Sequence, residues 1–341
     1  MRIRRLLLLA LAALALTALP WLVDGVLGIT WVRILSFAAL YVVLALGLNI
    51  TVGYAGLLDL GYIAFFAVGA YAYALLASPQ FGLHWPLWAT LPLAAGAAAL
   101  FGLLLGTPLL RLRGDYLAIV TLGFGEITRI FINNLNAPVN ITNGPQGVNQ
   151  IDALRIAGID FSRPLVLGEL TVPAAYMPCL LFIGLALLVA WASTRLQTSR
   201  IGRAWQAIRE DPLAAAACGI DLRRYKRLAF VLGAAAGGLA GGLFAGFQGF
   251  ISPESFSLTE SIMILCMIVL GGMGHVPGVV IGALILATLP EALRALGPLQ
   301  QALLGQVWLD PADLRMLVFG SALVAMMLLR PAGLWPQHGG R

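Results

Sequence analysis

Glu126 and Arg129 stand three residues apart in a largely apolar stretch, where a single helix would set carboxylate and guanidinium side by side. Asn49, Thr51 and Asp59 lie just as close to apolar runs, among Gly53 and Gly56. Ionisable groups in such surroundings point to a solute path or a functional site, and the pair at 126 and 129 also admits a plain structural ion pair. Catalytic chemistry is harder to find. Lys226 is the sole lysine and follows Arg223-Arg224-Tyr225, so the chain has no GxxxxGK[ST] phosphate-binding loop. His84, His275 and His338 are isolated, which excludes HExxH and leaves no cluster with metal-ligand spacing. No GxSxG is present, and Cys179, Cys218 and Cys266 are scattered without CxxC and read as structural thiols. The expectation is a protein that is not an enzyme and carries no cofactor of its own.

The elements that must position these residues are membrane helices. Of 341 residues, 60% are hydrophobic and 11% charged, where soluble proteins carry roughly a quarter charged. Inside a bilayer every backbone polar group needs an internal partner, and the long Leu- and Ala-rich runs lack the alternation of barrel strands. An all-α, polytopic membrane protein follows. A span takes about 20 apolar residues, which predicts about ten helices (nine to eleven) in one transmembrane domain, 1–341. They fall near 5–24, 31–50, 57–77, 87–110, 115–133, 173–193, 228–250, 261–274, 276–293 and 313–329.

Charge sets the orientation. With Arg2, Arg4 and Arg5 inside, alternation places Arg111, Arg113, Arg330, Arg341 and the eight basic residues of 194–227 in the cytoplasm, along with both termini. The 134–172 loop, with Arg155 and Arg163, is then external. The same clustering between apolar runs argues against nucleic acid despite a net charge of +6. The N-terminus also resembles a signal peptide, but apolarity continues through Trp21-Leu22-Val23, which favours an uncleaved first helix.

Glycine interrupts two stretches, 49–61 and 270–278. Each reads either as unwound membrane backbone lining a path or as a tight turn. Gly233, Gly237 and Gly241, with Gly238, Gly242 and Gly246, form two overlapping GxxxG ladders suited to close helix packing. In the 194–227 loop, Asp211 suits an N-cap, Pro212 a first helical position and Gly219 a left-handed terminator, which predicts a short helix near 212–218. Glu210 and Asp211 would favour its positive end. A helix that short must be held by something: packing within the loop, a partner protein or anionic membrane lipid.

Four strings together carry a resemblance. Gly53-Tyr54-Ala55-Gly56-Leu57-Leu58-Asp59-Leu60-Gly61, Thr142-Asn143-Gly144-Pro145-Gln146-Gly147, the stretch from Gly202-Arg203-Ala204-Trp205 to Gly219-Ile220, and Ser252-Pro253-Glu254-Ser255-Phe256 are similar to LivM-type permease subunits of branched-chain amino-acid ABC importers. The likeness implies a bacterial inner-membrane importer in which this permease pairs with a LivH-like second permease, two cytoplasmic ATPases that bind the ATP, and an external solute-binding protein. Leucine, isoleucine and valine are the implied cargo. Related permeases carry urea, amides or other amino acids, and an ion-gradient-driven transporter and a membrane scaffold are the alternatives outside the family. It further implies that Ala214-Ala215-x3-Gly219 is an EAA-like ATPase-docking element, with Leu213 where that pattern has Glu. Arg203, Trp205, Arg209, Glu210 and Asp211 join it as docking candidates. Asn49, Thr51, Gly53, Gly56, Asp59, Glu126 and Arg129 are the path candidates.

Overall fold

The computed structural model describes residues 18–109, 112, 114–156, 159–167 and 170–294, with parts of 317–335. Helices dominate: α1 Ala18–Leu27, α2 Ile29–Asn49, α3 Ile63–Leu76, α4 Leu87–Leu109, α5 Asp115–Asn134, α6 Tyr176–Thr198, α7 Arg200–Glu210, α8 Pro212–Ala217, α9 Leu222–Gln248, α10 Leu258–Gly271 and α11 Val276–Arg294. Among the described residues five are long and apolar enough to cross a membrane: α2 with its continuation to Tyr54, α4, α6, α9 and α11. The protein is a polytopic all-α membrane protein, and each expected span from 31 to 293 contains a helix.

The helix α2 is apolar on every side, and from Ala38 to Asn49 all but Tyr41 are buried, so it forms the central post. Around it stand α6, α9, α10 and α11. The second organising helix is α9, and its glycines explain how. Gly233 faces the Gly47 backbone and Thr51 on the α2 side, Gly237 meets Tyr62 and Phe65, and Gly241 meets the backbone of Phe66 to Ala70. On the other ladder Gly238 faces Ala94 and Ala98, Gly242 faces Leu91 and Ala94, and Gly246 faces Tyr73 and Leu154. One ladder thus seats α2 and α3, and the other seats α4 together with parts of α3, all within this chain.

Several segments depart from the sequence reading. The expected helix at 57–77 starts only at Ile63: Leu60 and Gly61 give their N–H groups to Thr121 Oγ1 (3.0 Å) and Asp59 Oδ1 (3.0 Å) instead of to a helical ladder. The span at 31–50 runs on through a π-helical turn, Ile50–Tyr54, so the first half of the 49–61 break is helical after all. The loop at 194–227 is shorter than expected, since α6 reaches Thr198 and α9 begins at Leu222. It holds two helices, not one. Glu210 closes α7 and does not start α8. The 134–172 region carries two small antiparallel hairpins, β1 Arg155–Ile156 with β2 Ile159–Asp160, and β3 Leu165–Leu167 with β4 Leu170–Val172. The other glycine-rich stretch is a tight turn, with Gly272 and Gly274 at φ of 114° and 88° between α10 and α11. Most of the first and last expected spans, and Arg2, Arg4, Arg5, Arg111, Arg113 and Arg341, lie outside the described residues.

Along the bundle, the α7–α8 pair marks one end and the hairpins the other, because α6 connects them end to end.

Candidate functional site

At the helix-pair end, the interrupted helix meets the segment that follows α6. Ser199 accepts the Gly202 N–H (3.2 Å) as N-cap of α7, and Ala204, Trp205 and Ile208 turn one face of that helix inward. The Trp205 ring is wholly buried, stacks on Tyr54 at 6.4 Å between centroids, and donates its indole N–H to Tyr225 O at 2.7 Å. Tyr54 OH is itself paired with Ser193 Oγ at 2.9 Å. α7 is therefore clamped to α2, α6 and α9.

Arg209, four residues beyond Trp205, reaches from α7 into the break and donates to Gly53 O in the π turn. Around that contact, Asn49 Oδ1 accepts the Gly274 N–H (2.8 Å) and Gln197 donates to Gly274 O (2.8 Å). Three segments distant in sequence thus meet on one partly buried polar junction: the π turn, the α10–α11 turn and the α6–α7 corner. Glycine is obligatory here for space. A Cβ on Gly53 would collide with Asn49 Oδ1, and one on Gly56, already at φ 67°, would press on the Arg209 side chain at 2.9 Å. Thr51 turns its hydroxyl back to Leu48 O (2.9 Å), so it shapes the turn instead of facing a solute.

Beyond Tyr54 the chain leaves helix and climbs into the bundle. Tyr62 donates to Gly233 O (3.1 Å), a position about 16 Å into α9 at 1.5 Å per residue, so α3 begins near the middle of the bundle. The backbone of Leu60 is held from both sides, by Thr121 of α5 and by Ser261 of α10, whose hydroxyl donates to Leu60 O at 2.6 Å. Asp59 is buried there; one carboxylate oxygen accepts from Gly61 and Oδ2 has no hydrogen-bond partner among the described residues. Half-length helices that start inside a membrane protein, with irregular backbone leading to them, are the usual construction of solute paths.

Glu126 and Arg129 form the expected i, i+3 pair, with Arg129 Nε 3.0 and 3.1 Å from the two carboxylate oxygens. They sit apart from Asp59 and are half open, with side chains 41% and 30% exposed.

The docking candidates divide into two groups. Trp205 points into the chain, in keeping with the apolar spacing of Ala204, Trp205 and Ile208, whereas Arg209 is exposed and also reaches back to Gly53 O. Arg203 folds back onto Thr198 O (2.9 Å). Asp211 caps α8 by accepting from the Leu213 and Ala214 N–H groups (2.7 and 3.1 Å), Gly219 ends the segment at φ 83°, Ala215 is buried, and Ala214 and Leu213, the latter 72% exposed, face out. Leu213, Arg209 and Asp211 border a cleft of about 850 Å³ shared with Gly56–Leu58, Asp115 and the start of α9. Ser193, Gln197, Thr121 and Ser261 were not singled out by sequence, because their roles depend on contacts across the bundle.

A model of the family "Branched-chain amino acid transport system / permease component" matches residues 30–327. The chain is 42% identical to the high-affinity branched-chain amino acid transport system permease protein LivM of Escherichia coli K12, over 98% of this chain and 75% of that protein. The probable branched-chain amino acid transport permease protein LivM of Methanocaldococcus jannaschii is 25% identical over 89% of this chain and 92% of its own length. A 100-residue stretch, 29% of this chain, is 40% identical to the LivH permease protein of E. coli K12 and covers 32% of it. No solved structure matches. With nearly the whole chain matched and the interrupted helix embedded in an apolar bundle, the protein belongs to the family of branched-chain amino acid transport system permease components.

Proposed function

We propose that this chain is the LivM-type permease subunit of an ATP-driven importer that carries leucine, isoleucine and valine into the bacterial cytoplasm. The observation that carries the reading is the Arg209 contact on Gly53: the segment that would meet an ATPase is tied to the broken helix that would line a path. In this account a LivH-like permease completes the path, one of two cytoplasmic ATPases docks on α8 and the adjoining cleft, and an external binding protein delivers the amino acid to the hairpin end. No ATP site is assigned to this chain.

The mechanism follows from how the parts are joined. ATP can shift the permease only by favouring one of its conformations. A push on α8 passes to α7 through Asp211, which is shared as the C-cap of one and the N-cap of the other. Because Trp205 and Arg209 fix α7 to the π turn, the push reaches α2 and the irregular segment leading to Asp59. The two ends of the path then open alternately.

The substrate is tested by calorimetry on the cognate binding protein with leucine, isoleucine, valine, urea and acetamide. Tight binding of the three branched amino acids is expected. Tight binding of urea or acetamide alone would overturn the substrate assignment.

A further inference from the structure

The Glu126–Arg129 pair has a property that its helix alone does not require. About half the circumference of α5 is buried, through Leu117, Ala118, Thr121, Gly125, Thr128 and Ile132. The pair lies on the flank of the opposite face, where Glu126 shares a stripe with Ile119 and Ile130, both exposed. Between them Gly123 opens onto empty space, since a Cβ there would meet nothing within 4 Å. The pair is set toward the hairpin end, with Arg129 about 8 Å along the helix axis from Asn134. Glu254, in the 3₁₀ turn Pro253–Phe256 beside α5, adds a second carboxylate within electrostatic reach of Arg129. Lipid is a poor neighbour for a half-open ion pair, and among the described residues no helix covers this face.

We propose that Glu126 and Arg129 are a half-site for the zwitterionic head of a free amino acid entering the path. The proposal rests on the importer reading above and adds the residues that select the substrate class. The Arg129 guanidinium donates to the substrate carboxylate, the geometry to which a planar fork is suited, and the Glu126 carboxylate accepts from the substrate ammonium. The two charges leave each other for matching charges, so none is stranded in the exchange. The aliphatic side chain lies over Gly123 between Ile119 and Ile130, and the second permease closes the other side. Urea and simple amides can hydrogen-bond to the pair but bring no opposite charges to replace the ion pair they would break, so this site favours amino acids over them.

The test uses the complete complex in proteoliposomes with labelled leucine. Wild type is measured first: absence of ATP-dependent uptake there refutes the importer reading and not this site. The double variant Glu126→Gln/Arg129→Gln removes both charges without orphaning either. It is expected to assemble, to keep ATP hydrolysis stimulated by the loaded binding protein, and to lose at least tenfold in leucine uptake. The charge-swapped variant Glu126→Arg/Arg129→Glu restores an ion pair but reverses its polarity, and is expected to leave uptake low. Uptake within twofold of wild type in either variant would make the pair purely structural and overturn the proposal. Should the neutral variant fail to assemble, Gly123→Leu fills the open space without touching packed atoms: a tenfold fall in uptake supports the site, and unchanged uptake overturns it.

Discussion

At the residue scale the most consequential contacts are those that leave no room. Gly238 of α9 faces Ala98 and the Ala94 carbonyl, which would lie 2.7 Å from any Cβ at this position, and Gly69 of α3 lies against the Gly238 backbone. Gly238→Leu must push α4 and α3 away, and overpacking of this kind costs about 1–3 kcal/mol. Thermal unfolding in detergent is expected to shift down by several degrees; an unchanged midpoint would mean the ladder does not hold the helices together. Residue types were legible in the sequence where chemistry is local. The Glu126–Arg129 pair and the Asp211 cap depend on neighbours within one or two turns, and they stand where spacing placed them. The surroundings of Trp205 and Arg209 were not legible for the opposite reason. Their partners, Tyr54, Tyr225 and Gly53, are far away in sequence, and only the assembled bundle buries the indole and ties the guanidinium to the π turn.

At the scale of elements, apolar runs announced the long helices, while breaks and short helices were harder to read. Composition cannot separate a π turn from unwound chain, because the same Gly53 serves both, and what decides is where the N–H groups of Leu57, Leu60 and Gly61 find acceptors. The helix α7 went unrecognised since its Ser199 cap follows directly on α6, with no glycine or proline to mark the corner. The short α8 supplies the sharpest element-level prediction. Ala215→Pro removes the bond from Ala215 N–H to Asp211 O (3.0 Å) and breaks the helix that carries Leu213 outward. Pull-down of the ATPases by this variant is expected to drop at least fivefold while the LivH-like permease still co-purifies. Full retention of the ATPases would remove α8 from the docking surface.

For the whole molecule, orientation is the claim on which the assignment of ends depends. Cys218, just past α8, is exposed, whereas Cys179 is buried and Cys266 half-buried. A membrane-impermeant maleimide should therefore label Cys218 in inside-out vesicles and leave it unmodified in intact spheroplasts. Added ATPase subunits should slow the labelling. Rapid modification in spheroplasts would invert the topology and with it the roles of the two ends. In a sparsely charged chain, the segment from 194 to 227 keeps eight basic residues, the kind of cluster that biases a loop toward the cytoplasm, while its apolar face fixes α7 to the core.

The central claim is that the α7–α8 pair drives the interrupted helix through Arg209. Its most direct test is the amount of leucine imported per ATP hydrolysed, measured together in proteoliposomes containing the complete complex, for wild type and Arg209→Ala. The account predicts ATP-dependent uptake in wild type, and in the variant retained hydrolysis with at least a tenfold lower yield of leucine per ATP. An unchanged yield in Arg209→Ala, or leucine uptake driven by an ion gradient without the ATPases, would contradict it.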